Sequence, residues 1–357
     1  MKFKNLLIFS IVTISFFEFS SIKSVDPSKS VVKGKVESTF HDDHKMCKCG
    51  KFSLEQLTET VELTGIDGNK MNLKYTTEFS AKIGAGAYSN VYHAYWFDIN
   101  TNCVALKIYI NEYFNQELYV LNFLNGVNVH ERNHIIKMLG YGKNDEKFFL
   151  AIELEEENLK NYYGKIHRGK RKERSNVKVL NKIIKGAAKA LAQFHKFGGH
   201  GDVKQENFVV SRDQDSNADV INVKLIDFNL SVLYGHDHDV NGIQKYDIKD
   251  FGNMVYRLLN DHYNKVIPTL HEINFDNNSK LDRIMKACFQ DESIRPIMKE
   301  IVDFLNEEIH VFNYEETHKQ IENKYPRHHH EQHIKRPRHE DEQLNKRNKQ
   351  NDDSKLS

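Results

Sequence analysis

Residues 200–207 read His200-Gly201-Asp202-Val203-Lys204-Gln205-Glu206-Asn207, and residues 225–229 read Leu225-Ile226-Asp227-Phe228-Asn229. Both are short polar stretches set among long helical patterns. VLNKIIKGAAKALAQFHKF from Val179, KYDIKDFGNMVYRLLNDHY from Lys245 and SKLDRIMKACF from Ser279 carry apolar residues at helical spacing. Working back toward the N-terminus the period changes. LKYTTEFSAKIGAG, NVYHAYWF and CVALKIYI alternate as strands, with a turn at 98–102 between the last two. EYFNQELYVLNFLNG then places Phe114, Leu118, Leu121 and Leu124 on one helix face and stops at Asn125-Gly126. Two more strands are expected around 135–139 and 148–154. A strand-rich half before a helix-rich half predicts an α+β protein of two lobes, an antiparallel sheet followed by a mainly helical lobe.

Phosphoryl transfer requires immobilised nucleotide phosphates, neutralised charge and a carboxylate near the accepting hydroxyl. Each requirement has a candidate. Ile83-Gly84-Ala85-Gly86-Ala87-Tyr88-Ser89-Asn90-Val91 sets two glycines at a strand turn, where backbone can approach phosphate oxygens unobstructed. Val104-Ala105-Leu106-Lys107 follows on a strand, and Glu117 on a helix.

In this order and spacing the segments resemble the protein kinase family over residues 79–306. The resemblance implies that Lys107, held by Glu117, contacts the α- and β-phosphates of ATP, with Ile83, Gly84, Gly86 and Val91 covering the nucleotide and Glu153 and Leu154 on the adenine side. It implies Asp202 as the residue that orients the hydroxyl or accepts its proton, Lys204 beside the transferring group, and Asn207 and Asp227 as Mg2+ ligands. Asp247-Ile-Lys-Asp-Phe-Gly252 resembles the helix start that braces the catalytic loop, and Asp291-Glu-Ser-Ile-Arg295-Pro296 the late Arg-Pro segment. The expected function is a secreted kinase that transfers the γ-phosphate of ATP to a protein Ser or Thr hydroxyl. A pseudokinase binding module and a small-molecule kinase on the same fold are the alternatives.

Three departures qualify the resemblance. Gly201 replaces the Arg that reads a phosphorylated activation loop, so control by such phosphorylation is not expected. Asn229 replaces a glycine expected to need positive φ, which Asn tolerates best after Gly. Only 19 residues separate Asp227 from Asp247, with no Glu among them, so the peptide platform is shortened and Arg295 is left to find another anion or face solvent.

The flanks differ in character. Lys2 and Lys4 precede an apolar run from Leu6 to Phe17, a secretory signal pattern over residues 1–21. That run is shorter than the ~20 residues a membrane span needs, so no anchor is expected after cleavage. Residues 22–71 read as a polar leader, 72–312 as the catalytic domain and 313–357 as a disordered basic, His-rich tail. Two basic clusters in the tail, at 335–338 and 346–349, have the form of a two-part nuclear-import signal, and the whole layout resembles effector kinases that parasites export into host cells. With 51 Lys plus Arg against 50 Asp plus Glu, no net field argues for a nucleic-acid partner. Of the two glycosylation sequons, Asn277 is preferred over Asn229, which lies beside the presumed metal ligand. Cys47-Lys48-Cys49 lacks the C-x2-C spacing of zinc sites, so an unstructured leader or a disulfide is expected rather than a metal.

Overall fold

The structure is a computed structural model that describes residues 46–97, 102–110, 113–144, 146–167, 177–215, 218–235, 239–260 and 272–324. The signal pattern, the Lys- and Arg-rich stretch at 168–176 and the tail beyond residue 324 lie outside the described residues.

The first lobe holds β1 (Glu59–Gly65), β2 (Lys70–Tyr75), β3 (Lys82–Ala85), β4 (Ser89–Trp96), β5 (Asn102–Tyr109), helix α1 (Tyr113–Asn125), β6 (Met138–Asn144) and β7 (Lys147–Glu153). The strands lie in the order β2-β1-β6-β7-β5-β4-β3, every adjacent pair antiparallel, and β2 also pairs with β4. The ring of six strands therefore closes on itself, with β3 added on β4. Closure removes the exposed edges that an open sheet leaves. Strand alternation then sorts the side chains. Leu63, Met71, Leu73, Ala94, Val104, Leu106, Phe149 and Ala151 fill the ring. Ala105, Tyr109, Leu150 and Ile152 face outward, into the core beneath the sheet.

This corrects the leader boundary at residue 71. Residues 59–71 belong to the ring, and β1 alternates exposed and buried positions so that Val61 and Leu63 point inward. The hairpin is set by Asp67-Gly68, a turn with Gly68 at φ 79°. The expected first strand also divides into β2 and β3, with a 3-10 turn at Phe79–Ala81 between them.

The second lobe carries α2 (Leu159–His167), α3 (Val177–Phe194), the short strands β8 (Gly198–Gly199), β9 (Phe208–Val210), β10 (Val223–Leu225) and β11 (Val232–Leu233), and helices α4 (Val240–Asn260), α5 (Lys280–Cys288), α6 (Met298–Leu305) and α7 (Asn313–Lys324). Helix α3 is its central post, burying Leu180, Ile183, Ile184, Leu191 and Phe194. The tail boundary at residue 313 also moves. Phe312 and Tyr314 are buried, Phe312 stacks on Phe304 at 4.6 Å, and Arg283 pairs with Glu315 at 2.7 Å, so α7 is anchored at its start. No helix among the described residues is long and apolar enough to cross a membrane.

Candidate active site

A cleft of about 640 Å³ lies between the lobes, within the size range of small-molecule sites. Ile83, Gly84, Gly86, Val91, Lys107, Glu153, Leu154, Lys204, Asn207 and Asp227 all line it. The turn after β3 closes through Gly86 N–H to the carbonyl of Ser89 at 2.9 Å. A Cβ at Gly84 would make only ordinary contact with Val91, and at Gly86 would come no closer than 3.9 Å to protein. The protein itself does not demand glycine at either place, so the vacant volume is free for a ligand.

Lys107 reaches this face because β5 alternates Ala105 and Lys107 outward against Leu106 and Ile108 inward. Its Nζ donates to Glu117 Oε1 at 2.9 Å and Oε2 at 2.6 Å, and to Asp227 Oδ1 at 3.1 Å. The Tyr109 hydroxyl also donates to Glu117 Oε2. Burial opposes the Lys107 charge, but Glu117, Tyr109 and Asp227 outweigh it and hold the ammonium pKa well above its ordinary value. Burial likewise opposes ionised Asp227, and Lys107 wins, so that carboxyl titrates below the usual range.

The loop at 200–207 is braced from below. Buried Asp247 accepts from the backbone N–H of His200 at 2.7 Å and of Gly201 at 2.8 Å, and meets His195 Nε2 at 3.0 Å. Asp247 lies within α4, which begins at Val240, and not at the helix start expected. His200 in turn meets the carbonyl of Ile226 at 3.0 Å, tying the loop to the Asp227 segment. On the cleft side Asp202 Oδ2 accepts from Lys204 Nζ at 2.5 Å and from Asn207 Nδ2 at 2.9 Å. Asn207 Nδ2 also donates to the Asp202 carbonyl at 2.8 Å, which commits its amino group to Asp202 and turns its oxygen away. Phe228 is wholly buried between Phe194 and His200, leaving Asp227 on the cleft side.

With this geometry the comparison with known families is decisive. Residues 77–251 match the protein kinase domain family. The chain carries a protein kinase domain and has the kinase fold. No curated protein matches it.

Within this kinase domain three expectations change. Positive φ falls on Asp227, at 69°, and not on Asn229. Asn229 is instead buried, with its Nδ2 on Asp227 Oδ1 at 2.5 Å, which also leaves it no room for a glycan, whereas Asn277 is exposed. Arg295 is buried and donates to the carbonyls of Gln290 at 2.9 and 3.1 Å and of Lys245 at 2.6 Å, so it faces backbone and neither an anion nor solvent. Glu153 commits its carboxylate to Lys224 at 2.6 Å and its N–H to the Lys137 carbonyl at 3.0 Å. Tyr109, His195 and the cleft-lining Lys51, Phe52 and His93 were not anticipated. Tyr109 shares its strand face with Lys107, a signal present in the i, i+2 spacing.

Proposed function

We propose that the chain is an ATP-dependent protein kinase that phosphorylates a Ser or Thr hydroxyl with Mg2+. The observation that carries this reading is the single Lys107 ammonium touching both Glu117 and Asp227, because it joins strand, helix and metal-binding segment in one charged unit. The residues suit the absent groups. The carboxylate of Asp227 and the amide oxygen of Asn207 are the hard oxygen donors that Mg2+ prefers, and the cleft has the size and clear glycine turn that a nucleotide needs. Bound Mg2+ would neutralise phosphate charge.

The protein's own part is positioning. Lys107, fixed by Glu117, binds phosphate oxygens. Asp202, held by Asn207 and Lys204, orients the acceptor hydroxyl and takes its proton, while Lys204 stands beside the oxygen on which charge gathers. The test is incubation of purified full-length protein with Mg2+ and labelled ATP, together with basic and acidic proteins or with small alcohols and amino-sugars. Label on protein that disappears in Asp202→Ala supports the proposal. Label only on small acceptors moves the enzyme to a small-molecule class, which the short link from Asp227 to α4 favours as the second reading. Absence of transfer with both acceptor sets leaves a binding module.

A further inference from the structure

Residues 46–53 form a tight turn rather than an unstructured leader. Met46 bridges Ser53, Cys47 N–H donates to the Phe52 carbonyl at 2.8 Å, Gly50 N–H to the Cys47 carbonyl at 2.8 Å, and Gly50 takes φ 69°. The turn lies against the outer face of β4 and β5, where alternation sets His93 beside Cys103. In the strand register His93 faces Ala105 and Cys103 faces Tyr95, so His93 and Cys103 are diagonal neighbours on one face. The ligand atoms of Cys47, Cys49, His93 and Cys103 all lie within 4.8 Å of one another. Cys47 Sγ is 3.1 Å from Cys49 Sγ, and Cys49 Sγ is 3.5 Å from His93 Nε2. Three sulfurs and one nitrogen around tetrahedral zinc, with Zn–S near 2.3 Å and Zn–N near 2.0 Å, stand roughly 3.5–3.8 Å apart.

We propose that Cys47, Cys49, His93 and Cys103 bind one Zn2+, in a closed four-ligand site that fastens residues 46–53 to β4 and β5 as a wall of the nucleotide cleft. Three thiols and an imidazole are soft donors suited to zinc, not to Mg2+ or Ca2+. Four protein ligands leave no open position, which marks a structural and not a catalytic metal. His93 is fully buried and turns its Nε2 to the Cys49 thiol, a weak hydrogen-bond partner that leaves this nitrogen's lone pair available to a metal among the sulfurs. The surroundings fit as well. Cys49 N–H donates to Cys103 Sγ at 3.3 Å, a bond that orients a coordinating sulfur. Three thiolates and a neutral imidazole on a dication leave one negative charge, and Lys51 and Arg212 both act electrostatically on His93. The phenyl ring of Phe52 stacks on His93 at 4.1 Å and shields it. On binding, the three cysteines release their thiol protons to solvent.

The wall is functional in position. Lys51, Phe52 and His93 line the same cleft as Lys107, and Lys51 pairs with Glu156 at 3.4 Å. The zinc site does not depend on phosphoryl transfer, and its test reads metal directly. Full-length protein, expressed with zinc and dialysed, is expected to retain about one zinc per chain. Replacement by Co2+ is expected to give thiolate-to-cobalt charge transfer with the intense d–d absorption of a tetrahedral site, a signature that the tail histidines at 328–330 cannot produce. Cys103→Ser and His93→Ala are expected to lose most of the metal, while Cys288→Ser, remote from the turn, retains it. The proposal is overturned if wild-type protein holds no zinc and its non-reduced mass lacks two hydrogens, as a disulfide requires. It is equally overturned if bound Co2+ shows no thiolate band, a measurement on wild type that needs no variant to fold.

Discussion

Asp227 holds its carboxylate over the cleft with a left-handed backbone, and two neighbours fix the same oxygen: Lys107 at 3.1 Å and Asn229 at 2.5 Å. Asp227 itself lines the cleft. Asn229 thus acts as a clamp on the Asp227 carboxylate, and its backbone is not what permits the turn. Replacing it by glycine removes a charge-assisted hydrogen bond and adds backbone freedom, together about 1–2 kcal/mol. Asn229→Gly is therefore expected to raise the KM for Mg·ATP by roughly fivefold or more, since 1.4 kcal/mol is tenfold. Unchanged or improved KM in steady-state assays would show that Asn229 is a passive substitute. Gly201 presents the opposite case. Its φ is 78°, and a Cβ there would sit 2.6 Å from the Leu230 carbonyl oxygen. An Arg at this site is excluded by backbone, which explains the departure from the family at the level of packing. Gly201→Ala is expected to destabilise by about 1–3 kcal/mol and to lower transfer, because Asp247 grips the Gly201 N–H that the strain would move. A melting temperature within a degree of wild type would contradict this.

At the scale of elements, the helices and the loops at 200–207 and 225–229 were legible in sequence because each carries a strong local signal. Phe114, Leu121 and Leu124 are buried on α1 as their spacing requires, though Val120 and Glu117 are buried too and Leu118 only partly. The β1–β2 hairpin was missed for a physical reason. ETVELTG and KMNLKY bury only every second residue, so Lys and Glu on the outer face give the stretch a polar average, although Asp67-Gly68 between them is a hairpin signal. The cysteine site was beyond reach for another reason. Cys47 and Cys49 meet His93 and Cys103 only through pairing of β4 with β5 and docking of a turn about 45 residues upstream, and no local spacing encodes that. The ring's contribution can be measured. Leu73 is fully buried inside it, on the strand that pairs with both β1 and β4. Leu73→Ala is expected to cost about 2–5 kcal/mol in chemical denaturation. A loss below 1 kcal/mol would mean that the closing strand adds little. Helix α4 packs equally closely on α5, where a Cβ on Gly252 would meet Cys288 Cβ at 2.5 Å. Gly252→Ala is expected to destabilise by about 1–3 kcal/mol through overpacking, read as a lower denaturation midpoint with an unchanged slope.

Across the whole molecule, one charged cluster ties the lobes together at the end of β7. Lys224 on β10 pairs with Glu153 at 2.6 Å and Glu155 at 2.5 Å, at the point where the first lobe passes into the second. The neighbouring Leu225 carbonyl accepts from Ile136 N–H at 3.0 Å, so the ion cluster and a backbone bond lie together. Burial opposes the Lys224 ammonium, but its hydrogen bonds to Glu153 and Glu155 prevail, and its pKa is raised. A raised lysine contributes stability that is fully present below its unfolded value, near 10.4, and is lost as pH rises through the folded value. Lys224→Met leaves two carboxylates facing each other without a cation. Their partial exposure tempers the penalty of a fully buried broken pair to about 2 kcal/mol, roughly 5 °C in a domain of this size. That difference from wild type is expected to be equal at pH 7 and pH 9 and to narrow only above about pH 10. Because Glu153 and Glu155 both line the cleft, the same variant places uncompensated negative charge beside a nucleotide, so thermal stabilisation by Mg·ATP should shrink along with the melting temperature. A variant that melts lower but keeps its full nucleotide-dependent shift would separate the two roles, assigning Lys224 to lobe cohesion alone.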